Sequence, residues 1–292
     1  MTPRSPGRFH VAASHVSRDE LTGMMSQLLL FARRQCIMHV FQHAMHANNN
    51  MNAPLIVTSP ENHPHVPETA FGIWFLQTHT WTLHVLERAF KDLEPLIVDR
   101  LPSYPVVADV GCGWGRSLKK LHDRFAPQRL IGMDIDPAML EAAGKEAEAA
   151  GIQAELIQCS SSHMTLEDNS VDLLFCHQTF HHLIEQEEAI QEFFRVLKPG
   201  GILLFAESTK RYIHSWMIRL LFRHPMEVQK TADEYLALVR SAGFQVAPGS
   251  ISYPYLWWSR EDLGLMERLL KIKPRAEREE TLINLVAVKP AI

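Results

Sequence analysis

From Val106 onward the chain repeats one pattern, a short apolar run followed by an amphipathic stretch, and this alternation restricts the fold more than any other feature. Residues 106–110, 129–133, 154–158, 171–176 and 201–206 read as strands, and 117–125, 138–150 and 187–196 as the helices between them. Consecutive parallel strands need crossover helices. The pattern therefore predicts an α/β domain, doubly wound, with a mostly parallel sheet covered on both faces. Two more strands are expected at 249–257 and 282–289, around a helix at 261–272, which brings the sheet to seven strands.

The first strand runs into a glycine-rich turn, Asp109-Val110-Gly111-Cys112-Gly113-Trp114-Gly115. Such a turn, leaving the first strand of a doubly wound sheet, lets a ligand approach the backbone at the sheet's carboxyl edge. A nicotinamide or flavin fingerprint would put glycine at the sixth position of the turn, where this chain has Arg116. A phosphate-binding loop would continue with Gly-Lys-Ser/Thr, and none follows. What remains is Gly-x-Gly-x-Gly with an acid two residues ahead of it.

That turn and three later segments resemble the class I S-adenosylmethionine-dependent methyltransferases. Residues 109–115 are similar to the family's first motif, and Gly132-Met133-Asp134-Ile135-Asp136 to its second. Asp168-Asn169-Ser170-Val171-Asp172 resembles the approach to strand four, and Arg195-Val196-Leu197-Lys198-Pro199-Gly200-Gly201 the turn before strand five. The resemblance implies a Rossmann-like methyltransferase fold with S-adenosylmethionine as cofactor. It places Asp109 near the cofactor's ammonium, Gly111, Cys112, Gly113 and Gly115 against its amino-acid end, and Asp134 with Ile135 at the ribose. One carboxylate accepting from both ribose hydroxyls makes two charge-assisted hydrogen bonds. Where the family commonly has an adenine-binding acid after strand three, this chain has Ser160 and Ser161, which offer hydroxyls instead.

After strand four come His177, His181 and His182. A sulfonium is already a good leaving group, so the protein must mainly align the acceptor and, for a hydroxyl or thiol, remove a proton. His177 is the first candidate for that base or for a cofactor contact, and Glu207, ending strand five, is the second. His181 is expected in the pocket wall. No metal site is expected on these histidines, nor on Cys36, Cys112, Cys159 and Cys176, which lack paired spacing and read as small buried side chains in a reducing, cytoplasmic setting.

Trp74, Trp81 and Trp216 lie outside the motifs, where this fold usually builds its substrate pocket, and point to a small apolar or aromatic acceptor. Residues 210–223 read as one helix with Ile213, Trp216, Met217, Leu220 and Leu221 on one face and Lys210, Arg211, Arg219 and Arg223 flanking it. A lid insertion is one reading of it. Peripheral membrane contact, with a lipid or quinone acceptor, is another. A non-catalytic S-adenosylmethionine-binding protein is a third reading of the chain. The formal charge of −4 argues against a nucleic-acid partner. Residues 1–50 are expected to stand outside the fold, 51–100 to form a linker and cap helices, and 101–292 to form the cofactor-binding domain.

Overall fold

The computed structural model describes residues 57–58, 64–261 and 264–291. The expectation for residues 1–50 lies outside the described residues. Seven strands form the main sheet: β1 (Val106–Val110), β2 (Arg129–Asp134), β3 (Glu155–Gln158), β4 (Val171–His177), β5 (Leu197–Ser208), β6 (Ile251–Ser252) and β7 (Leu282–Val288). Their order is β3-β2-β1-β4-β5-β7-β6. The first five pair in parallel, and β7 runs antiparallel to both β5 and β6. The chain turns back between β1 and β4, so the carboxyl ends of these two strands flank the topological switch point.

Helices α1 (Ala70–Leu76) and α2 (His79–Trp81), a π-turn at Thr82–Leu86 and helix α3 (Glu87–Leu93) precede the sheet. Within and after it come α4 (Leu118–Phe125), α5 (Pro137–Ala149), α6 (Gln186–Val196), α7 (Lys210–Ile213), α8 (Trp216–Leu221), α9 (Ala232–Ser241) and α10 (Leu265–Leu270). The start of α5 is set by Asp136, whose carboxylate accepts from Ala138 N–H at 2.8 Å, with Pro137 in the first helical position. Helix α9 was not expected from the apolar spacing. Its signal is the Thr231/Glu234 capping box.

Alternation along the strands divides the core. Val107, Phe175 and Leu204 face α3, α4 and α5, while Ala108, Leu174 and Phe205 face α6 and α9. Phe90 of α3 stacks on Phe175 with ring centroids 4.7 Å apart, and Leu86, Phe90 and Leu93 are fully buried. The boundary expected at residue 101 therefore falls inside the packed unit, because α3 supplies part of one sheet-facing layer rather than a cap. The single helix expected over 210–223 is also two, broken between Ile213 and Trp216. Ile213 and Ile218 are both buried and, five residues apart, cannot share one face of a continuous α-helix.

Candidate functional site

The three glycines of the turn have backbone φ of 67°, 51° and 74°, a left-handed region that side chains other than glycine enter at a cost. Their surroundings differ. A Cβ on Gly111 would fall 2.2 Å from Thr179 Cγ2, and one on Gly115 would fall 2.9 Å from the backbone of Ala143 in α5. A Cβ on Gly113 would meet nothing within 4 Å, so the turn is open at this position. Cys112 does not share that role. Its N–H donates to Met133 O at 2.9 Å, its carbonyl accepts from Gly115 N–H, and its buried thiol sits beside Gly132 in the core.

These distances give a direct test. Gly111→Ala is expected to cost ~1–2 kcal/mol from its φ alone and more from the collision with Thr179. Gly151, with φ of 68° and open space around its Cβ position, isolates the first contribution. Urea denaturation of Gly111→Ala and Gly151→Ala should show the first losing more stability. Equal losses would mean that the β4 loop is not pressed against the turn.

Asp134 ends β2 directly beside the open glycine. Its Oδ2 accepts from Gly113 N–H at 2.9 Å and its Oδ1 from Asp136 N–H at 3.0 Å, so both oxygens are aimed before any ligand arrives. Burial raises its pKa, and the two N–H groups counter that. Asp109, buried at the end of β1, accepts a hydrogen bond from Ser117 Oγ. Burial pushes its carboxyl up to about 7, Ser117 opposes the rise, and the neighbouring Asp134 charge adds to it. The Ile135 carbonyl accepts from Gln158 Nε2 at 3.2 Å. Past β3, Ser160 Oγ lies 2.8 Å from Ser162 Oγ, which donates to Glu185 Oε2 at 2.6 Å. The serine turn thus has an acid behind it, brought from the start of α6. Ser161 is half-buried beside it.

At the ends of β4 and β5 the histidines separate. The ring of His177 is stacked on Phe175 and lies 5.6 Å from Trp81, and burial holds its pKa down to about 4. His181 instead places Nδ1 2.6 Å from Glu207 Oε2. Glu207 is fully buried, and its Oε1 accepts from Thr179 N–H at 2.9 Å and Phe180 N–H at 2.8 Å. Read from the sequence as a base, Glu207 is placed otherwise by this geometry, because both of its oxygens already hold protein donors. It positions the β4 loop and His181.

Trp81 stands at the site, against His177. Trp74 lies further out, 5.5 Å from Phe71, whose ring meets Phe222 at 5.5 Å. Phe75 meets Phe222 as well, at 5.9 Å. Thr69 Oγ1 donates to Leu221 O, and Arg223 N–H donates to Glu68, so α1 is fastened to the segment after α8. Trp216 is a correction. It is 64% exposed, because the break in the helix turns Ile218 inward in its place. The expectation of no metal site also meets a contrary geometry, in which His181, His182 and His224 bring one ring nitrogen each to within 4.8 Å of one another. His224 comes from the chain after α8, and no spacing in the sequence links it to the other two.

A seven-stranded doubly wound sheet with a glycine turn after β1 and an acid ending β2 defines a nucleoside-binding α/β protein of the Rossmann-like class. Residues 108–205 match the family model described as a methyltransferase domain. The chain is 32% identical over 112 residues to malonyl-[acyl-carrier protein] O-methyltransferase 1 of Coxiella burnetii, which covers 37% of this chain and 36% of that protein. It is 30% identical over 112 residues to the ubiquinone/menaquinone biosynthesis C-methyltransferase UbiE of Campylobacter jejuni, covering 36% and 45%. The chain thus spans less than half of the length of these relatives. A solved S-adenosylmethionine-dependent methyltransferase from Aquifex aeolicus shares the fold, with a TM-score of 0.52 at 20% identity over 75% of this chain and 97% of that one. Residues 108–205 thus carry a methyltransferase domain, and the relatives and the shared fold support a class I S-adenosylmethionine-dependent methyltransferase.

Proposed function

We propose that the protein transfers the methyl group of S-adenosylmethionine to a small apolar or aromatic acceptor. The observation that carries this reading is the pairing of Asp134 with the open Gly113: a half-buried carboxylate, preset by two backbone N–H groups, beside the one glycine of the turn whose Cβ position is vacant. Each Asp134 oxygen keeps a lone pair for a ribose hydroxyl. Asp109 supplies negative charge for an ammonium, and Ser160 and Ser161 offer hydroxyls on the adenine side. When bound, the cofactor supplies an electrophilic methyl group. On the acceptor side, His177 and Trp81 form an aromatic wall, and burial keeps His177 neutral and able to accept a hydrogen bond from an acceptor hydroxyl.

The acceptors named for the two relatives, a malonyl-acyl carrier and quinones, illustrate the range that one such domain can serve. A membrane-borne acceptor is the second reading, favoured by Trp216 and Leu220, which leave 64% and 59% of their surfaces exposed on α8 beside the exposed Arg219. No helix among the described residues is long and apolar enough to cross a membrane. Incubation with methyl-labelled S-adenosylmethionine and fractionated lysate, followed by identification of the labelled product, tests both readings. Label in a soluble small molecule supports the first, and label in extracted lipid supports the second. Absence of label from every fraction would leave only cofactor binding.

Asp109 makes cofactor affinity depend on pH. Below about pH 7 its carboxyl holds a proton that an arriving ammonium must displace, so affinity is expected to fall as the pH falls and to level off above about 7. Calorimetry between pH 5 and 8 reads this, the range being chosen to cover roughly two units below that pKa. Asp109→Asn should flatten the profile. A wild-type profile that is already flat would remove Asp109 from the ammonium.

A further inference from the structure

His181, His182 and His224 stand apart from the groups assigned to methyl transfer. Their ring centroids are 4.3 Å, 5.1 Å and 4.7 Å apart, and the rings are tilted 31–40° to one another rather than stacked. His181 and His224 are buried and His182 half-buried. One ring nitrogen of each of the three lies within 4.8 Å of the other two, close enough to share one ion.

Two further observations point to a ligand. His181 is held at Nδ1 by the Glu207 carboxylate, itself fixed by two backbone N–H groups, which assigns the ring proton to Nδ1 and leaves Nε2 as the free donor atom. A histidine whose far nitrogen donates to a fixed carboxylate is the arrangement that orients metal ligands. Gln229 is buried as well. Its Nε2 donates to His181 O at 2.7 Å and Pro225 O at 2.8 Å, the latter next to His224, while its Oε1 has no hydrogen-bond partner. An oxygen left this way, on a buried side chain that bridges the backbones of His181 and Pro225, is an uncompensated acceptor that a cation or its bound water would satisfy.

We propose that His181, His182 and His224 bind a divalent d-block cation of the zinc class. Three imidazoles suit such a borderline ion better than magnesium or calcium, which prefer oxygen ligands, and Glu207, held against His181 Nδ1, supplies a compensating negative charge behind that ring. The ion would tie the segment after α8 to the β4 loop. Because Phe222 lies two residues before His224 and packs against Phe71 and Phe75 of α1, the ion would hold that aromatic contact in place.

The test uses the untagged full-length protein, stripped with a chelator and titrated with Co²⁺ as a spectroscopic probe, followed by displacement with Zn²⁺. Visible d–d bands of a four-coordinate nitrogen-rich site should saturate at about one equivalent per chain. His182→Ala, at a half-buried position, and His224→Ala should abolish the bands. Glu207→Gln keeps an oxygen for Thr179 and Phe180 but turns an NH₂ group toward His181 Nδ1, which drives the ring proton onto Nε2. That variant should lose roughly 10- to 100-fold in cobalt affinity.

Saturable bands that vanish in His182→Ala establish the site, and His182→Ala decides the matter if His224→Ala does not fold. No saturable cobalt signal, or one that survives in His182→Ala, overturns the proposal. S-adenosylmethionine affinity, measured by calorimetry on the same samples, fails or succeeds independently, so loss of the metal reading is distinguishable from loss of the methyl-transfer reading.

Discussion

Replacement of Asp134 by alanine is expected to weaken S-adenosylmethionine binding by about 3–4 kcal/mol, the sum of two charge-assisted hydrogen bonds at about 1.5–2 each, or roughly 150- to 900-fold in Kd. The same change strips Gly113 and Asp136 of the acceptor for their N–H groups, so melting must be measured alongside affinity. A cofactor analogue lacking one ribose hydroxyl separates the two effects. If Asp134 holds the ribose, the analogue should lose affinity for the wild-type protein and little or none for the variant, since the missing hydroxyl no longer has a partner to lose. A folded Asp134→Ala chain with wild-type affinity would end the ribose assignment.

Glu207→Ala should have the largest effect on stability. It removes the acceptor for Thr179 N–H, Phe180 N–H and His181 Nδ1 in a fully buried place, and each unsatisfied buried donor costs about 1–3 kcal/mol. A total of about 3–5 kcal/mol is expected, which for a domain of this size lowers Tm by roughly 6–20 °C. Pairing it with His181→Ala in a double-mutant cycle isolates the coupling between the two side chains. A loss below about 1 kcal/mol would show that the β4 loop holds itself in place without the carboxylate, and Glu207 would return to consideration as a group free for chemistry.

The parts of this site that were legible in the sequence are those built from contiguous chain. The turn at Gly111 and the acid at Asp134 can be read because each lies at the end of a strand whose apolar run marks where it stops, and parallel pairing then brings Gly113 to Asp134. The strand ends at Val110, Gln158 and Val288 were within a residue of expectation for the same reason.

What could not be read are meetings between distant segments. Thr179 against Gly111, Glu185 behind Ser162 and His224 beside His181 each depend on how two loops cross the sheet edge, and no periodicity encodes that. Trp216 misled because helical spacing over 210–223 assumes an unbroken helix, whereas burial of both Ile213 and Ile218 breaks it. The role of Glu207 was misjudged because a carboxylate at a strand end looks the same in sequence whether its lone pairs face a substrate or backbone N–H groups.

The π-turn at Thr82–Leu86 carries one residue more than an α-helix of the same rise would hold. Upstream of it Trp81 turns its ring to His177, and downstream Phe90 lies flat on Phe175 in the core. A continuous α-helix rotates about 100° per residue, so without the surplus residue these two aromatics could not both keep their partners. Phe90, fully buried, would keep its place, and Trp81 would swing off the site. A single-codon deletion within these five residues would thus rewrite the proposed acceptor wall while leaving the groups proposed to hold the cofactor untouched. Between α2 and α3 the gene has a length to preserve as well as an identity.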